Sequence, residues 1–598
     1  MASPMNPEAA GFIPPDPWGL RAPAPVPTSG GAITDWGLAI DAPLQIDEPD
    51  THAWQGEADM IVVGLGGAGV AAALEGLEQG LSVIALDLYE GGGSTAANGG
   101  VYYAGGGTSI QQEAGVEDDA KLMEDYLRFE VGNVVAPDTL RDFCETSAET
   151  FEWLRRHGAP FSAALYSKKT SYPPLDKFLY HPDSSLAGPF RDFTRPAARG
   201  HRTVHRNGKN PFGLGVGVYG PLKAAALARG LEFHSHADVR QLALDRAGRV
   251  IGVRVERLAD PAIRERHSKL VAKANKWLSM LPSTLPGAQV TVSIGYRLLR
   301  KADALASSAR SSEWLRARKG VVLSAGGFIC NKAMVQHFAP HVAAALPNGT
   351  LGDNGSGIML GVSAGGETGL MERVSAWRFL SPPQAWGRAM VVDGEGCRYV
   401  NETWYGARIG DGMVERHGGR AYIIMDRKLW RQSLKDAFGE DVLTFQRDIT
   451  LINGLFGAKK GATPEALAKK MGFSPARFAE SLAAYNGAAR GETPDAFHKV
   501  PEEMAELATG PFYAVDASTD ARLFPLSCMT VGGLRVDEAS GAVKALAGGV
   551  VPGLYAAGRT AIGICSNLYV SGLSFADCIY SGRRAARAIA GGRLQKLE

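Results

Sequence analysis

The chain has 598 residues, of which 45% are hydrophobic, so it can bury the cores of more than one domain. Its formal net charge of +1 gives no overall attraction for nucleic acid, and we expect no such partner. The six cysteines show no C-x-x-C pair and no cysteine–histidine cluster with metal-ligand spacing, so we predict no metal site. Free thiols, and the lack of a secretory signal pattern in the first residues, favour a cytoplasmic protein.

The first part of the chain predicts an arm followed by a βαβ unit. Residues 1–57 are rich in proline, alanine and glycine, which predicts an extended or disordered segment. After them come an apolar strand over 60–63, a helix over 70–80 and a second strand over 82–87. Strand, helix and strand in this order predict the start of a nucleotide-binding domain.

The turn between the first strand and the helix carries the pattern Gly64-x-Gly66-x-x-Gly69. Asp87 ends the second strand, 18 residues after Gly69. This arrangement places a pyrophosphate on the helix N-terminus and a carboxylate beside ribose hydroxyls. NAD and FAD both use such a site, so the motif alone predicts a dinucleotide without choosing between them.

Three further glycine clusters favour FAD. One is the hydroxyl-rich loop 91–100, directly after the second strand, and the others are 325–327 and 557–559. Each allows the backbone to approach a ligand closely, and so many contacts suit the longer FAD molecule. The wide separation of the last two clusters predicts a cofactor domain that is interrupted by a second domain.

The predicted fold class is therefore α/β, with a Rossmann-like FAD-binding domain interrupted by an α+β substrate domain. A closing helix is expected over 576–590, because two glycines follow it. The predicted boundaries are 58–346 and 511–598 for the two parts of the FAD-binding domain and 347–510 for the substrate domain.

A basic insertion, 261–319, lies between strands expected at 250–255 and 320–324. It contains twelve basic and three acidic residues. Its uncharged middle, 277–296, includes two prolines, which argue against a straight helix across a membrane. Two interpretations stay open: the insertion rests on anionic lipid at a membrane surface, or it forms a helical hairpin packed on protein or used in oligomer contacts.

Tyr569 and Ser571 lie two positions apart, shortly after the glycine cluster 557–559. A phenol and a hydroxyl at such a strand end can handle a proton beside a bound cofactor. The alternative for the tyrosine is a core aromatic residue whose hydroxyl is satisfied by the protein.

Six runs of the chain share a pattern with known flavoproteins. They are Gly105–Thr108, Arg199–His201, Arg398–Tyr405, Arg408–Gly410, Gly532–Arg535 and Tyr569–Gly572. This pattern resembles the superfamily of fumarate reductases and 3-ketosteroid dehydrogenases. Tyr405 and the Tyr-x-Ser-Gly run resemble most closely its branch of 3-ketosteroid Δ4-(5α)-dehydrogenases, and the resemblance spans about 58–590 apart from the insertion.

Two departures separate the chain from other branches. Fumarate reductases carry a proton-donating arginine four residues after the glutamate that resembles Glu402, where this chain has Gly406. The Δ1-dehydrogenases follow the tyrosine that resembles Tyr569 with a glycine-rich run, where this chain has Val570 and Ser571. Δ1 dehydrogenation and, less closely, fumarate or urocanate reduction stay as alternatives. A membrane-docked electron-transfer flavoprotein without an organic substrate is favoured only by the insertion.

The resemblance implies desaturation of a 5α-3-oxosteroid to the Δ4-3-oxosteroid, with a proton removed at C4 and hydride passing from C5 to flavin N5. It makes Tyr569 the base, Ser571 its proton relay and Tyr405 a second active-site hydroxyl. Gly572, through its backbone amide, and Tyr103 are expected to contact the steroid. Phenols suit an apolar pocket because an unpaired buried carboxylate is costly.

The expected cofactor is FAD, and its predicted contacts combine the glycine motif with the later clusters. They are Gly64, Gly66, Gly69, Asp87, Ser94, Thr95, Gly99, Gly100, Val239, Gly326, Gly558, Arg559, Leu573 and Ser574. The expected partners are a 3-ketosteroid substrate and a quinone or another electron acceptor. We expect a cytoplasmic protein, with peripheral contact to the inner face of the membrane through 261–319 as the open alternative.

Overall fold

The computed structural model describes residues 36–206, 213–278 and 288–591. Most of the predicted arm and the centre of the basic insertion lie outside these described residues. The strands, in chain order, are β1 Leu44–Gln45, β2 Gly56–Val63, β3 Val83–Leu86, β4 Val101–Tyr103, β5 Leu165–Tyr166, β6 Leu179–Tyr180, β7 Gly200–Arg202, β8 Glu232–His234, β9 Ala237–Leu244, β10 Val250–Leu258, β11 Arg310–Leu323, β12 Leu346–Pro347, β13 Thr368–Gly369, β14 Val374–Trp377, β15 Met390–Val392, β16 Tyr422–Met425, β17 Lys459–Gly461, β18 Phe512–Asp516, β19 Ser527–Thr530, β20 Gly533–Leu534, β21 Ala542–Lys544 and β22 Val550–Ala556.

The α-helices, in chain order, are α1 Gly67–Glu78, α2 Gly93–Ala97, α3 Ser109–Glu113, α4 Ala120–Val131, α5 Pro137–Glu145, α6 Ser147–Arg156, α7 Phe190–Phe193, α8 Val216–Ala228, α9 Pro261–Leu278, α10 Ala288–Ser307, α11 Lys332–Phe338, α12 Ser356–Ser363, α13 Gln384–Gly387, α14 Gly406–Arg416, α15 Arg427–Asp436, α16 Thr444–Ile452, α17 Pro464–Met471, α18 Pro475–Ala489 and α19 Leu573–Ile589.

One nine-stranded sheet forms the centre of the cofactor domain. Its order is β1-β9-β10-β11-β2-β3-β8, with β22 paired to β11 and β21 to β22. The strands β11, β2, β3 and β8 run parallel, which requires helical crossovers such as α1. Helices α1 and α19 pack together so closely that a Cβ on Gly582 would lie 2.2 Å from the carbonyl oxygen of Ala68. The predicted α/β class and βαβ unit are confirmed.

Part of the segment predicted as an arm belongs to this sheet. Strand β1 pairs in parallel with β9, and Leu44 lies opposite Ala243. The amide of Ile46 continues the pairing by donating to the carbonyl oxygen of Leu244 at 2.8 Å. Residues 44–57 therefore belong to the cofactor domain, because their backbone groups complete one edge of its sheet.

The predicted substrate domain is present as a four-stranded sheet of order β15-β16-β18-β17 and a three-stranded sheet of order β12-β19-β14. The predicted boundary at 510 falls too early. Ala514 of β18 lies opposite Ile424 of β16, and Met529 of β19 lies opposite Ser375 of β14. The substrate domain therefore extends to about β19, because these later strands complete its sheets.

Another four-stranded sheet, of order β4-β7-β6-β5, follows the first βαβ unit and carries two tyrosines toward the site. Gly200 of β7 lies opposite both Tyr103 of β4 and Tyr180 of β6. A Cβ on Gly200 would lie 2.7 Å from the ring of Tyr180. Glycine is required there because the tyrosine ring occupies the space of a side chain.

The basic insertion is shorter than predicted, because β11 begins at Arg310 rather than at 320. Arg310 pairs with Asp238 at 3.0 Å, and Arg316 pairs with Asp50 at 2.7 Å. These pairs neutralise part of the positive charge within the cofactor domain. Helices α9 and α10 pack against each other as a hairpin. Across the described ranges, no helix combines the length and apolar character needed to cross a membrane.

Helix α14 offers a matched test of close packing. A Cβ on Gly410 would lie 2.0 Å from the carbonyl oxygen of Ala376 in β14, whereas one on Gly412 would make only ordinary contacts at 3.5 Å or more. We expect Gly410→Ala to lower stability by about 1–3 kcal/mol. Gly412→Ala should raise it by about 0.5–1 kcal/mol. Thermal unfolding of both variants measures this, and equal shifts in Tm would contradict the packing.

Candidate active site

The glycine turn brings β2, α1 and the end of β11 into close contact. Gly64 has a positive φ of 93°, and a Cβ there would lie 2.6 Å from Cα of Ala325. A Cβ on Gly69 would lie 2.0 Å from the carbonyl oxygen of Gly64. Gly66 precedes the first residue of α1, and this helix N-terminus has no side-chain cap. The three predicted glycines therefore place the positive end of α1 at the surface of a cleft.

Asp87 holds this turn in place. One carboxylate oxygen accepts the amide of Leu65 at 2.8 Å, and the other accepts the amide of Tyr89 at 2.8 Å. Burial raises the pKa of Asp87, and these amides partly offset the effect. Its contact with ribose hydroxyls stays a prediction, and in the protein the carboxylate fixes the turn that carries Gly64 and Gly66.

Asp353 joins three of the predicted glycine clusters, and sequence reasoning missed it. Its carboxylate lies 2.5 Å from the guanidinium of Arg559 and accepts the amide of Gly327 at 3.2 Å and the hydroxyl of Ser94. A Cβ on Gly326 would lie 2.4 Å from this carboxylate. The available signal was the glycine-rich run 352–357 before α12, which the prediction assigned to the substrate domain.

The loop 91–100 is tied to both ends of the cleft. The hydroxyl of Thr95 accepts the amide of Gly67 at 3.1 Å. The carbonyl oxygen of Gly99 accepts the hydroxyl of Tyr172 at 2.9 Å, and Gly100 has a positive φ of 69°. The loop therefore connects the N-terminus of α1 with Tyr172.

The remaining predicted cofactor residues lie at two other positions. Val239 is buried in β9, beside a register shift between β9 and β10. Leu573 and Ser574 open α19, and this helix, like α1, has no side-chain cap at its N-terminus. The amide of Gly558 donates to Ser581 of the same helix at 2.9 Å.

The cleft fits a long anionic dinucleotide such as FAD. Among the described residues, Nη1 of Arg559 is buried without a hydrogen-bond partner. A Cβ added to Gly66, Gly93 or Gly352 would meet no atom closer than 3.8 Å, although all three lie beside tightly packed residues. An open cradle with a spare guanidinium donor and two uncapped helix N-termini suits a pyrophosphate and a polar ring system.

The predicted tyrosines lie together in a buried aromatic cluster. The ring of Tyr569 stacks on Trp377 of β14, with centroids 5.0 Å apart. Tyr405, just before α14, packs against Phe379, and its ring centroid lies 6.5 Å from that of Tyr569. The structure therefore brings Tyr405 and Tyr569 into one apolar site from positions 164 residues apart in the chain.

The hydrogen bonds of this cluster include one that the sequence did not predict. The oxygen of Tyr569 accepts the amide of Gly572 at 3.2 Å. Ser571 accepts the hydroxyl of Tyr180 at 3.0 Å. Sequence reasoning missed Tyr180, because its role depends on β6 reaching the far end of the chain. In the structure Ser571 thus contacts Tyr180, and its role as a proton relay for Tyr569 stays a prediction.

Burial sets the protonation of these groups. It raises the pKa of Tyr569 above its usual value, and the Gly572 amide partly offsets this. It also raises the pKa of Tyr405 well above its usual value, with Tyr569 as the next cause. Burial raises the pKa of Tyr180 to about 12, although its bond with Ser571 and the nearby charge of Arg202 lower it. All three are neutral phenols near pH 7, so each can donate a hydrogen bond.

Tyr405 is positioned by a buried polar network. Its amide donates to the hydroxyl of Ser184 at 2.9 Å. Three residues before it, Glu402 pairs with Arg398 at 2.9 Å and with Lys499 at 2.7 Å. Despite the opposing effect of burial, these cations lower the pKa of Glu402 to about 2. The Arg398–Tyr405 motif therefore fixes the backbone that carries the Tyr405 side chain.

Tyr103 lies behind the cluster, beside the Gly572 turn. It is fully buried, its hydroxyl donates to Asp183 at 3.1 Å, and its amide donates to the carbonyl oxygen of Gly572 at 3.3 Å. The contact of Tyr103 with a steroid stays a prediction, and in the structure its hydroxyl is directed toward Asp183. Its amide supports the Gly572 turn.

Arg408, the arginine nearest to the position used by fumarate reductases, is committed to structure. It is buried and pairs with Glu130 at 2.8 Å. Its guanidinium also lies over the ring of Phe190, 4.8 Å from the centroid. Both contacts hold this arginine in the core, which argues against its acting on a dicarboxylate.

Comparison with known proteins agrees with this geometry. The FAD binding domain family model matches residues 59–572. A 3-oxo-5-alpha-steroid 4-dehydrogenase of Comamonas testosteroni is 33% identical over 525 residues, which cover 86% of this chain and 95% of that protein. The crystal structure of a 3-ketosteroid-Δ4-(5α)-dehydrogenase from Rhodococcus jostii RHA1, in complex with 4-androstene-3,17-dione, is similar with a TM-score of 0.75 and 27% identity, over 92% of this chain and 100% of that one.

A 3-ketosteroid Δ1-dehydrogenase structure from Sterolibacterium denitrificans is also similar. Its TM-score is 0.61 at 19% identity, over 90% of this chain and 100% of that one. At this level of identity the likeness shows a shared fold. It does not distinguish Δ1 from Δ4 dehydrogenation.

The ion pair between Asp353 and Arg559 can be tested against a surface pair. Asp353→Asn leaves a buried guanidinium without a counter-charge, so we expect a loss of about 3–5 kcal/mol of stability and weaker FAD retention. Asp520→Asn removes the exposed partner of Arg420 and should cost no more than about 1 kcal/mol. Thermal unfolding and flavin absorbance after gel filtration measure both effects. Equal losses in the two variants would contradict the role of Asp353 in joining the three glycine clusters.

Proposed function

This chain belongs to the FAD binding domain family, and from that premise we propose that it is an FAD-dependent 3-oxosteroid 4-dehydrogenase acting on a 5α-reduced substrate. The observation that carries the proposal is the buried cluster of Tyr405, Tyr569 and Ser571 beside the uncapped start of α19. Aromatic walls suit a flat apolar steroid. The hydroxyls supply the proton transfer and the hydrogen bonds that desaturation next to a ketone requires of the protein.

Tyr569 acts as the base at C4. The C3 ketone makes the neighbouring C4 hydrogen acidic, so proton removal there requires a base of modest strength. Tyr569 accepts this proton as a phenolate, so its own proton first passes to solvent, with Ser571 proposed as the relay. The Gly572 amide, 3.2 Å from the phenol oxygen, offsets part of the burial that disfavours the phenolate. When bound, FAD supplies the two-electron acceptor for the hydride that leaves C5, so that C4 and C5 become joined by a double bond.

Tyr405, Ser571 and Tyr180 stabilise the charge that develops on the C3 oxygen. Tyr180 donates to Ser571 at 3.0 Å, and the hydroxyls of Ser571 and Tyr405 donate to the steroid oxygen. Successive donors polarise one another, so the last one strengthens. Arg202 adds a buried positive charge near Tyr180, with its guanidinium held at 2.9 Å by the carbonyl oxygen of Pro173. The amide of Gly572 donates to Tyr569, and its contact with the C3 oxygen stays a prediction.

The electron acceptor and the location form a second part of the proposal. Electrons leave the reduced cofactor to a quinone or another acceptor of the cytoplasm or inner membrane face. Contact of the α9–α10 hairpin with anionic lipid is supported by its exposed basic side chains. They are Arg266, Lys269, Lys273, Lys276, Arg297, Arg300 and Lys301.

Substrate choice tests the proposed function directly. Anaerobic addition of 5α-androstane-3,17-dione to the FAD-loaded protein should bleach the flavin absorbance, because this steroid has hydrogens at both C4 and C5. Androst-4-ene-3,17-dione should leave the flavin oxidised. The reverse pattern would identify a Δ1-dehydrogenase. Reoxidation of the reduced flavin by fumarate would favour the reductase alternative and contradict the proposal.

A further inference from the structure

An apolar patch on the substrate domain has no role in the chemistry above. Among the described residues, eleven large hydrophobic side chains are exposed, and four of them fall within 438–456. Phe456 is 82% exposed, Phe438 71%, Leu455 55% and Ile452 38%. We call these four side chains the 438–456 patch. Such a concentration of exposed apolar groups marks an interaction surface.

The patch is held on a rigid support. The indole of Trp430 in α15 donates to the carbonyl oxygen of Gly454 at 3.0 Å, and its ring stacks on Tyr513 with centroids 4.5 Å apart. Asn453 donates to the carbonyl oxygen of Leu523 at 2.7 Å. The turn that carries Leu455 and Phe456 is therefore anchored to the helix that precedes Phe438, and its apolar side chains are exposed although its backbone is fixed.

The patch is continuous with a segment that leads to the tyrosine cluster. Asp441, three residues after Phe438, accepts the hydroxyl of Tyr166 at 3.1 Å and pairs with Lys168 at 3.2 Å. From there the chain runs to Tyr172, whose hydroxyl donates to the carbonyl oxygen of Gly99 in the loop 91–100. Residues 165–172 thus connect the patch with the site, over a distance that four to six residues can span.

The charges around the patch favour an anionic partner. Residues 427–460 contain seven basic and four acidic residues. Six of the basic side chains are exposed, and they are Arg427, Lys428, Arg431, Lys435, Lys459 and Lys460. Aromatic and aliphatic tips flanked by lysine and arginine suit the headgroup region of a bilayer, where apolar groups insert and cations meet phosphate.

We infer that the 438–456 patch docks on the surface of an anionic phospholipid bilayer and places the 165–172 segment where an apolar substrate leaves the lipid. The docking stands on the exposure and charge of the patch. Only the delivery of a steroid rests on the proposed function. This contact differs from the one at the α9–α10 hairpin, which lies on the cofactor domain and exposes Val290 at 62%.

One substitution by glutamate in each surface distinguishes the two contacts. The full FAD-loaded chain is sedimented with vesicles of phosphatidylglycerol and phosphatidylcholine, and with vesicles of phosphatidylcholine alone. Phe456→Glu should reduce the fraction bound to anionic vesicles about tenfold or more, because an aromatic side chain that inserts among the lipids is replaced by a carboxylate that the anionic headgroups repel. Val290→Glu should reduce binding less than Phe456→Glu does, because it leaves the 438–456 patch intact. Unchanged FAD content and steroid turnover in lipid-free solution show that each variant is folded.

Three results would overturn the inference. They are unchanged vesicle binding by Phe456→Glu, release by Val290→Glu alone, and a lipid-free dimer that Phe456→Glu converts to monomer. The second result would assign the contact to the hairpin, and the third would assign the patch to a second copy of the chain. Because vesicle binding needs no steroid, failure of the proposed function would leave this measurement unaffected.

Discussion

One turn of left-handed backbone, at Gly572, holds the site together. Its φ of 89° opens α19, and a Cβ there would lie 2.6 Å from the amide nitrogen of Tyr103. Its own amide donates to Tyr569, while its carbonyl oxygen accepts the amide of Tyr103. The base, helix α19 and the β4-β7-β6-β5 sheet therefore meet at one residue, and only glycine reaches this conformation without strain.

Asp353 makes the corresponding connection on the cofactor side. It joins Ser94 from the first βαβ unit and Arg559 from the last part of the chain, at opposite ends of the sequence. The ion pair between Asp353 and Arg559 therefore joins two parts of the cofactor cleft that the substrate domain separates in the chain.

Local sequence patterns predict much of the fold and part of the site. The βαβ unit, its glycine turn and the Tyr569–Gly572 run are each encoded within a few residues, so the sequence alone predicts them. Tyr180 and Ser571 are 391 residues apart, and their hydrogen bond exists only because β6 reaches α19. Arg316 looked like part of a basic insertion for the same reason, since its partner Asp50 lies 266 residues away. Neither pairing leaves a local signal.

The central claim is that Tyr569, held by the Gly572 amide, removes the C4 proton. The rate of anaerobic flavin reduction by a 5α-3-oxosteroid, measured by stopped flow, tests it most directly. Tyr569→Phe should slow this step by about 10²–10⁴-fold while FAD stays bound. Tyr180→Phe should slow it less, and Tyr485→Phe, which removes a buried hydroxyl bonded to Arg388, should leave it unchanged. Reduction of Tyr569→Phe at the unaltered rate would contradict the account.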